Sequence, residues 1–551
     1  MPRTPLTRRR FLVSAGALGA YPLLHPRRVS LAAPAAASAS EALSLVNPRL
    51  AHPVFAEPGG SFNVEVATSR QLTPDGWSVR LSNDLGATWS CTVADVSSNG
   101  IDYGRRQGYR LRVLPPSGIS PELFTLRVRH TALSGELSEV RAVSIVPSLW
   151  SDCYLLQLTD EHVMYDSINH YACEDKPSGY RSADLVRWAT PVVNLINPRL
   201  VINSGDQAHQ YATTGYRYSY NEDIYRCYLN AKRNYRVPSM MLLGNHEVHE
   251  KDSDQRARDW ARWEALAGRR AYHLRMGTLW LFAHDYLDDA SRRFIDEVYR
   301  ASFREGHVEG RVIVQHHTSW HGYRPGAEIA PTLMLIGHLH RQSVEDRWPY
   351  PILLGAAAHK YATGSLLRFT RRNGRWSTDA AESWSASDVR LVGAYGAPSV
   401  SVSYAQPNDG RARTNEATIS NTLDQGFSDG RVRLILGEGR YRVRGGDVLS
   451  RYPIAGGKTV VLVRVDIPRK GTLRLEVEPS SSTVSLPGSE PEGLVSAEGS
   501  PPLDAAGDPL PEPGPADLAS GEVAPLDPGA TDAPGHRPFT VSLPQIADAG
   551  Q

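Results

Sequence analysis

The sequence predicts a multidomain protein in which a central α/β unit is flanked by β-sandwich-like modules. Three observations predict it. The chain runs to 551 residues, several times the length of a usual domain, so two to four compact units are expected. Short alternating apolar runs separated by Gly, Pro, Asn and Asp turns occupy the regions on either side. Between them, apolar strands alternate with longer helical stretches, the texture of an α/β sheet.

Residues 1–40 read as an address. Thr7-Arg8-Arg9-Arg10-Phe11-Leu12 precedes an apolar run ending at Leu23 and Leu24, then a small-residue stretch over 32–40 with Ala-x-Ala cleavage sites; together they resemble a twin-arginine export signal. Gly16, Gly19 and Pro22 interrupt the run, which is too short to span about 30 Å of hydrocarbon. The expectation is cleavage, no stable membrane anchor afterwards, and a periplasmic, cell-wall-associated or secreted mature protein.

Residues 41–148 are expected to form an N-terminal β-sandwich, with Phe62-Asn63-Val64-Glu65-Val66 and Phe124-Thr125-Leu126-Arg127-Val128 among its strands. Residues 149–385 form the α/β unit, with strands at 154–158, 200–203, 240–243 and 311–315. Helices are expected at 182–196, where Leu185, Val186, Ala189, Val192, Val193 and Ile196 share one face, and at 254–266. A second β module occupies 386–480. Residues 481–551 are rich in Pro, Gly, Ala and acidic residues, carry Arg537 as their only Lys or Arg, and are expected to stay disordered.

A composition of 41% hydrophobic and 22% charged residues suits an ordinary soluble protein, and a net charge of +1 gives no pull toward a polyanion, so nucleic acid is not an expected partner. Cys91, Cys153, Cys173 and Cys227 contain no Cys-x-x-Cys spacing, which excludes a thiolate metal scaffold. Cys153, Cys173 and Cys227 leave one structural bridge open. Trp260 and Trp263 with Arg256, Arg258 and Arg262 are read as a packed helical stripe with solvated arginines.

The chemistry lies in an ordered series within the α/β unit: Asp160-x-His162, Gly205-Asp206, Gly244-Asn245-His246-Glu247, His316, and Gly337-His338-Leu339-His340. Each element follows a strand. Loops at the carboxyl ends of neighbouring strands are where an α/β sheet brings distant positions together, and Gly205, Gly244 and Gly337 suit tight strand exits. A lone Asp-x-His is commonplace and a lone buried His is more often a core residue, but five elements in this order supply carboxylate, amide and imidazole donors together. Such mixed nitrogen and oxygen sets suit divalent ions such as Mn, Fe, Zn or Co.

The series resembles the calcineurin-like metallophosphoesterase superfamily over roughly 154–355. That resemblance implies a four-layer αββα catalytic domain in which one metal takes Asp160, His162 and His340, a second takes Asn245, His316 and His338, and Asp206 bridges them. His316 is preferred over the adjoining His317 because it directly follows its strand. The implied reaction is hydrolysis of a small phosphate mono- or diester by a metal-bridging hydroxide, with His246 assisting the leaving group. The N-terminal β-sandwich resembles the purple acid phosphatase arrangement, but His209 stands where that family has its tyrosine ligand. His209, His249 and His317 remain open between substrate contacts and exposed polar residues. The competing readings are a non-catalytic metal-containing binding or scaffold protein and a nuclease of the same superfamily.

Overall fold

A computed structural model describes residues 43–102, 106–163, 182–208, 225, 228–229, 231–249, 252–317, 323–345, 349–355, 358, 362–380, 387–393, 396–480 and 493–494. The expected leader, His209, Cys173, Cys227 and nearly all of the expected disordered tail lie outside these residues. The chain divides into units 1–500 and 501–551, and every described residue lies in the first.

The α/β region is built on two mixed sheets. Strands β1 (Cys153–Gln157), β2 (Leu200–Asn203) and β3 (Ser239–Met241) run parallel. The second sheet contains β4 (Tyr272–Met276), β5 (Leu279–Ala283), β6 (Gly310–Gln315), β7 (Leu333–Ile336), β8 (Ser343–Glu345) and β9 (Ile352–Leu354), in spatial order β4-β5-β6-β7-β9-β8. Its middle four strands are parallel and both edge strands antiparallel. Strand β10 (Thr363–Arg372) returns to pair antiparallel with β1, and β11 (Arg375–Thr378) and β12 (Ser387–Arg390) both pair with β10. Strands enclosed on both faces need apolar residues at every position rather than at alternate ones, and Leu-Trp-Leu-Phe-Ala in β5 and Leu-Met-Leu-Ile in β7 are buried throughout.

The period of two along each strand sorts these residues into layers. Leu155, Ile202 and Met240 from one sheet share a core with Leu281, Val312, Val314 and Leu335 from the other, so the sheets pack face to face. On the far side of the second sheet Trp280, Phe282, Ile313 and Ile336 pack on Ile295 and Tyr299 of a helix at Asp289–Ser302. On the far side of the first, Leu156 and Val201 pack on α1 (Ser182–Ile196) and on Val432, Leu434, Val461 and Val463 of the C-terminal β region. A second helix, α2 (Ser253–Leu266), begins where Asp252 accepts from the Asp254 and Gln255 amides, both at 3.0 Å; the helix at Asp289–Ser302 is α3. With three α-helices described over their whole length, the described residues hold far more sheet than helix.

Before this region eight strands, joined by the late strand Gly493–Leu494 into one nine-stranded sheet, fold around Trp77, Trp89, Leu111 and Phe124. After it come a four-stranded and a three-stranded sheet spanning 400–479. These β regions, far apart in sequence, touch. Tyr452, Ile454 and Val460 enter the same core as Trp77 and Trp89, and the Trp89 and Tyr452 rings meet edge-on at 5.4 Å. Buried Arg433 donates to both Asp84 oxygens at 2.8 Å and to Glu122. Gly493 and Leu494, within the segment expected to be disordered, pair with Thr88 and Ala87.

Candidate metal centre

The parallel strands deliver the candidate ligands to one place. Asp160 and His162 follow β1, Asp206 follows β2, Asn245 follows β3, His316 follows β6, and His338 and His340 follow β7. Main-chain hydrogen bonds hold these loops together: the Asp160 amide donates to Gly205 at 3.1 Å, His162 to Asp206 at 2.9 Å, and Gly337 to His316 at 3.1 Å.

Two groups of ligand atoms result, one of Asp160, His162, Asp206 and His340, the other of Asp206, His316 and His338, and within each group all atoms lie within 4.8 Å of one another. Asp206 belongs to both. Its Oδ2 lies 3.2 Å from His316 Nε2 and 3.8 Å from His162 Nε2, and His340 Nε2 lies 3.2 Å from Asp160 Oδ1. Asn245 Oδ1 completes the second group, 2.9 Å from both His316 Nε2 and His338 Nδ1. Of the adjoining pair, His316 reaches the cluster, whereas His317 lies alongside it, its ring centroid 4.3 Å from His338 and 5.2 Å from Tyr286.

Backbone strain is concentrated here. Of ten non-glycine residues with positive φ among those described, five are Asp160 (54°), His162 (46°), Asp206 (55°), His338 (70°) and His340 (53°). Left-handed conformations at such residues are costly and persist only where the surroundings over-determine them. Two glycines show how tight the packing is. Gly205 has φ +110°, and a Cβ there would fall 2.3 Å from His316 Nδ1. At Gly244 φ lies outside the left-handed region and approach is the constraint: a Cβ would meet Asp206 Oδ1 at 2.1 Å. Gly244→Ala is therefore expected to displace Asp206 and weaken metal binding about 10- to 100-fold, the usual cost of disturbing a ligand's support. Unchanged affinity in a Mn titration would show that this contact does not set Asp206.

Other residues hold the ligands without being candidates themselves. Thr159 Oγ1 donates to Asp160 Oδ2 at 2.8 Å, and the His338 amide donates to both Asp160 oxygens at 3.1 Å. His316 Nδ1 lies 2.8 Å from the Ser204 carbonyl oxygen, which fixes the ring so that Nε2 faces the cluster. Glu247 accepts from the amides of Asp206 at 3.0 Å, Ala208 at 2.8 Å and Gly244 at 2.6 Å, joining two ligand loops. Its place in Gly-Asn-His-Glu was visible in sequence, but its work on the Asp206 backbone was not.

The electrostatics suit cations. Burial acts to raise the Asp206 carboxyl, yet His316, His246 and His162 hold it well below the usual carboxylate range. Burial, reinforced by the Asp206 charge, pushes Glu247 up to about 8. Burial opposes a charge on His316, but Asp206 raises that ring to about 9; burial with the charges of His316 and His317 pushes His338 down to about 4. Carboxylate, amide oxygen and imidazole nitrogen converging in this cluster fit divalent ions of the hard-to-borderline class. His246 stands at the rim, its side chain 14% exposed, with Nε2 3.9 Å from Asp206 Oδ2 and its amide donating to Asp206 Oδ1 at 2.9 Å. His340, 35% exposed, marks the open side.

No family model and no curated protein matches the sequence. Solved structures do match. A conserved uncharacterized protein from Streptococcus pneumoniae, described as a predicted phosphoesterase, is 11% identical with a TM-score of 0.19, the match covering 41% of this chain and 97% of that one. A candidate 5'-nucleotidase from Staphylococcus aureus in complex with alpha-ketoglutarate is 12% identical with a TM-score of 0.27, covering 44% of this chain and 55% of that one. Vacuolar protein sorting 29 from Cryptosporidium parvum is 12% identical with a TM-score of 0.20, covering 44% and 99%. At these values the likenesses carry no argument about activity, which rests on the site.

Of the histidines left open in sequence, His249 has structural work away from the cluster. His249 Nδ1 accepts from the Asp252 amide at the entrance to α2. Trp263 is buried, and the Arg270 guanidinium lies 4.1 Å from the Trp260 ring while donating to Glu264 and Asp288. Cys153 is a free thiol. Among the described residues no helix is long and apolar enough to cross a membrane.

Proposed function

We propose that the chain is a binuclear-metal phosphoesterase hydrolysing small phosphate mono- or diesters. The observation that carries the reading is Asp206: one buried carboxylate shared by two groups of ligands, each completed by imidazoles and one by an amide oxygen. In this reading Asp160, His162, Asp206 and His340 hold one ion, and Asp206, Asn245, His316 and His338 the other. When bound, two such ions supply hydroxide near neutral pH and neutralise charge on the phosphoryl oxygens. The chain's own residues do the rest. Thr159 and Glu247 hold Asp160 and the Asp206 backbone in place, so no reorganisation is needed as charge develops. His246, at the rim and tied to Asp206 through its amide, gives a proton from Nε2 to the departing oxygen.

The division into an N-terminal β-sandwich at 41–148, a four-layer αββα catalytic unit at 149–385 and a β module at 386–480 belongs to the same proposal. So does action outside the cytoplasm, which rests on the Arg8-Arg9 leader. The test is hydrolysis of para-nitrophenyl phosphate and bis-para-nitrophenyl phosphate before and after chelation. Turnover that disappears with the chelator and returns with Mn or Zn is expected, and the preferred ester divides phosphatase from phosphodiesterase. A metal-replete protein inert on every phosphoester would favour the binding-protein reading.

A further inference from the structure

Behind the ligand turn at 160–162 lies a buried charge pair that the proposed reaction does not use. Glu161, between two candidate ligands, turns its carboxylate away from the cluster, and Oε2 accepts from Lys232 Nζ at 2.7 Å, Tyr228 OH at 2.8 Å and Asn203 Nδ2 at 2.5 Å. All four side chains are buried. Asn203 Oδ1 in turn accepts from the Gly205 amide at 3.1 Å and from Gln207 Nε2 at 2.9 Å, on both sides of Asp206. At the other end, the Lys232 carbonyl accepts from Arg141, which lies in the antiparallel strand Leu137–Ile145 of the N-terminal sheet. One continuous network thus joins the N-terminal β region to the two turns that carry Asp160, His162 and Asp206.

Burying an ammonium and a carboxylate together is weak evidence for stability, since apolar residues of similar volume often serve as well. What such a pair can do is fix a conformation. The turn needs fixing, because Asp160 and His162 both hold left-handed backbone at φ 54° and 46°. From this arrangement we infer that Glu161 and Lys232 are positioning residues for the ion held by Asp160, His162 and His340, and that the N-terminal β region braces that half of the centre. The inference rests on the two-metal reading and assigns the pair no contact with substrate.

The test is Mn titration, followed by electron paramagnetic resonance alongside thermal unfolding, of the full chain and two variants. Glu161→Gln with Lys232→Met removes both charges and leaves no unpaired ion. It is expected to keep one Mn at wild-type affinity and to bind the other about 10- to 100-fold more weakly. Tyr228→Phe removes one donor without touching either charge and is expected to weaken the same ion by about tenfold; it decides the matter if the double variant does not fold. Two ions at wild-type affinity in both variants would make the pair a stability element only. Equal weakening of both ions together with a lower Tm would show general loosening and overturn the inference as well. An unmutated chain that takes up fewer than two Mn ions would be a different failure, that of the two-metal reading itself.

Discussion

Asp206→Asn is expected to empty both metal positions at once and to lower kcat/KM on the order of 10^3-fold or more. A metal centre supplies several kcal/mol of charge stabilisation in the transition state, and each 1.4 kcal/mol is about tenfold in rate. The geometry makes this residue unlike the others. His340 or Asn245 serves one group of ligand atoms, whereas Asp206 belongs to both. The asparagine retains the shape and an acceptor for the His246 amide, so the variant should fold while losing the one charge common to both proposed ion positions. Metal content by mass spectrometry, read beside turnover of para-nitrophenyl phosphate, separates the possibilities: two ions retained with full turnover would end the bridging assignment.

His246→Gln is expected to lower kcat about 10^2- to 10^4-fold on alkyl phosphoesters while leaving both ions in place. Its ring supplies no atom to either ligand group; Nε2 lies 3.9 Å from Asp206 Oδ2, but the hydrogen bond to Asp206 Oδ1 comes from the main chain, which the substitution preserves. The loss should shrink on para-nitrophenyl phosphate, whose leaving group departs without a proton. An equal loss on both ester types would remove His246 from the leaving-group role and make it a substrate-binding residue instead.

How much of this was legible in sequence varied with how local the cause is. The helix at 182–196 could be read from its apolar face, and the strands before Asp160, Asp206 and His316 from short apolar runs, because both periodicities are written in consecutive residues. The candidate ligands were legible for a similar reason, each standing one to five residues beyond a strand. Three things were not. The hairpin β4–β5 has no turn signature beyond Gly277. Glu161 looks like any other acidic residue until a hydroxyl, an amide and an ammonium gather around it, and the hold of Glu247 on the Asp206 backbone shows only once the chain is folded. The contact between the two β regions depends on Arg433 meeting Asp84 across 349 positions, which no local pattern encodes.

That contact has a consequence for the time course of synthesis. Trp89 and Phe124 are made long before Tyr452, the ring that covers one end of their cluster. At about 5–20 residues per second, the stretch from Asp84 to Arg433 takes roughly 20–70 s to emerge. During that interval the first sheet lacks the ring that covers its apolar end and the guanidinium that ties Asp84 to Glu122. Its completion must therefore wait until Arg433 and Tyr452 have left the ribosome, and a premature stop anywhere before residue 433 would leave the N-terminal β region unfinished.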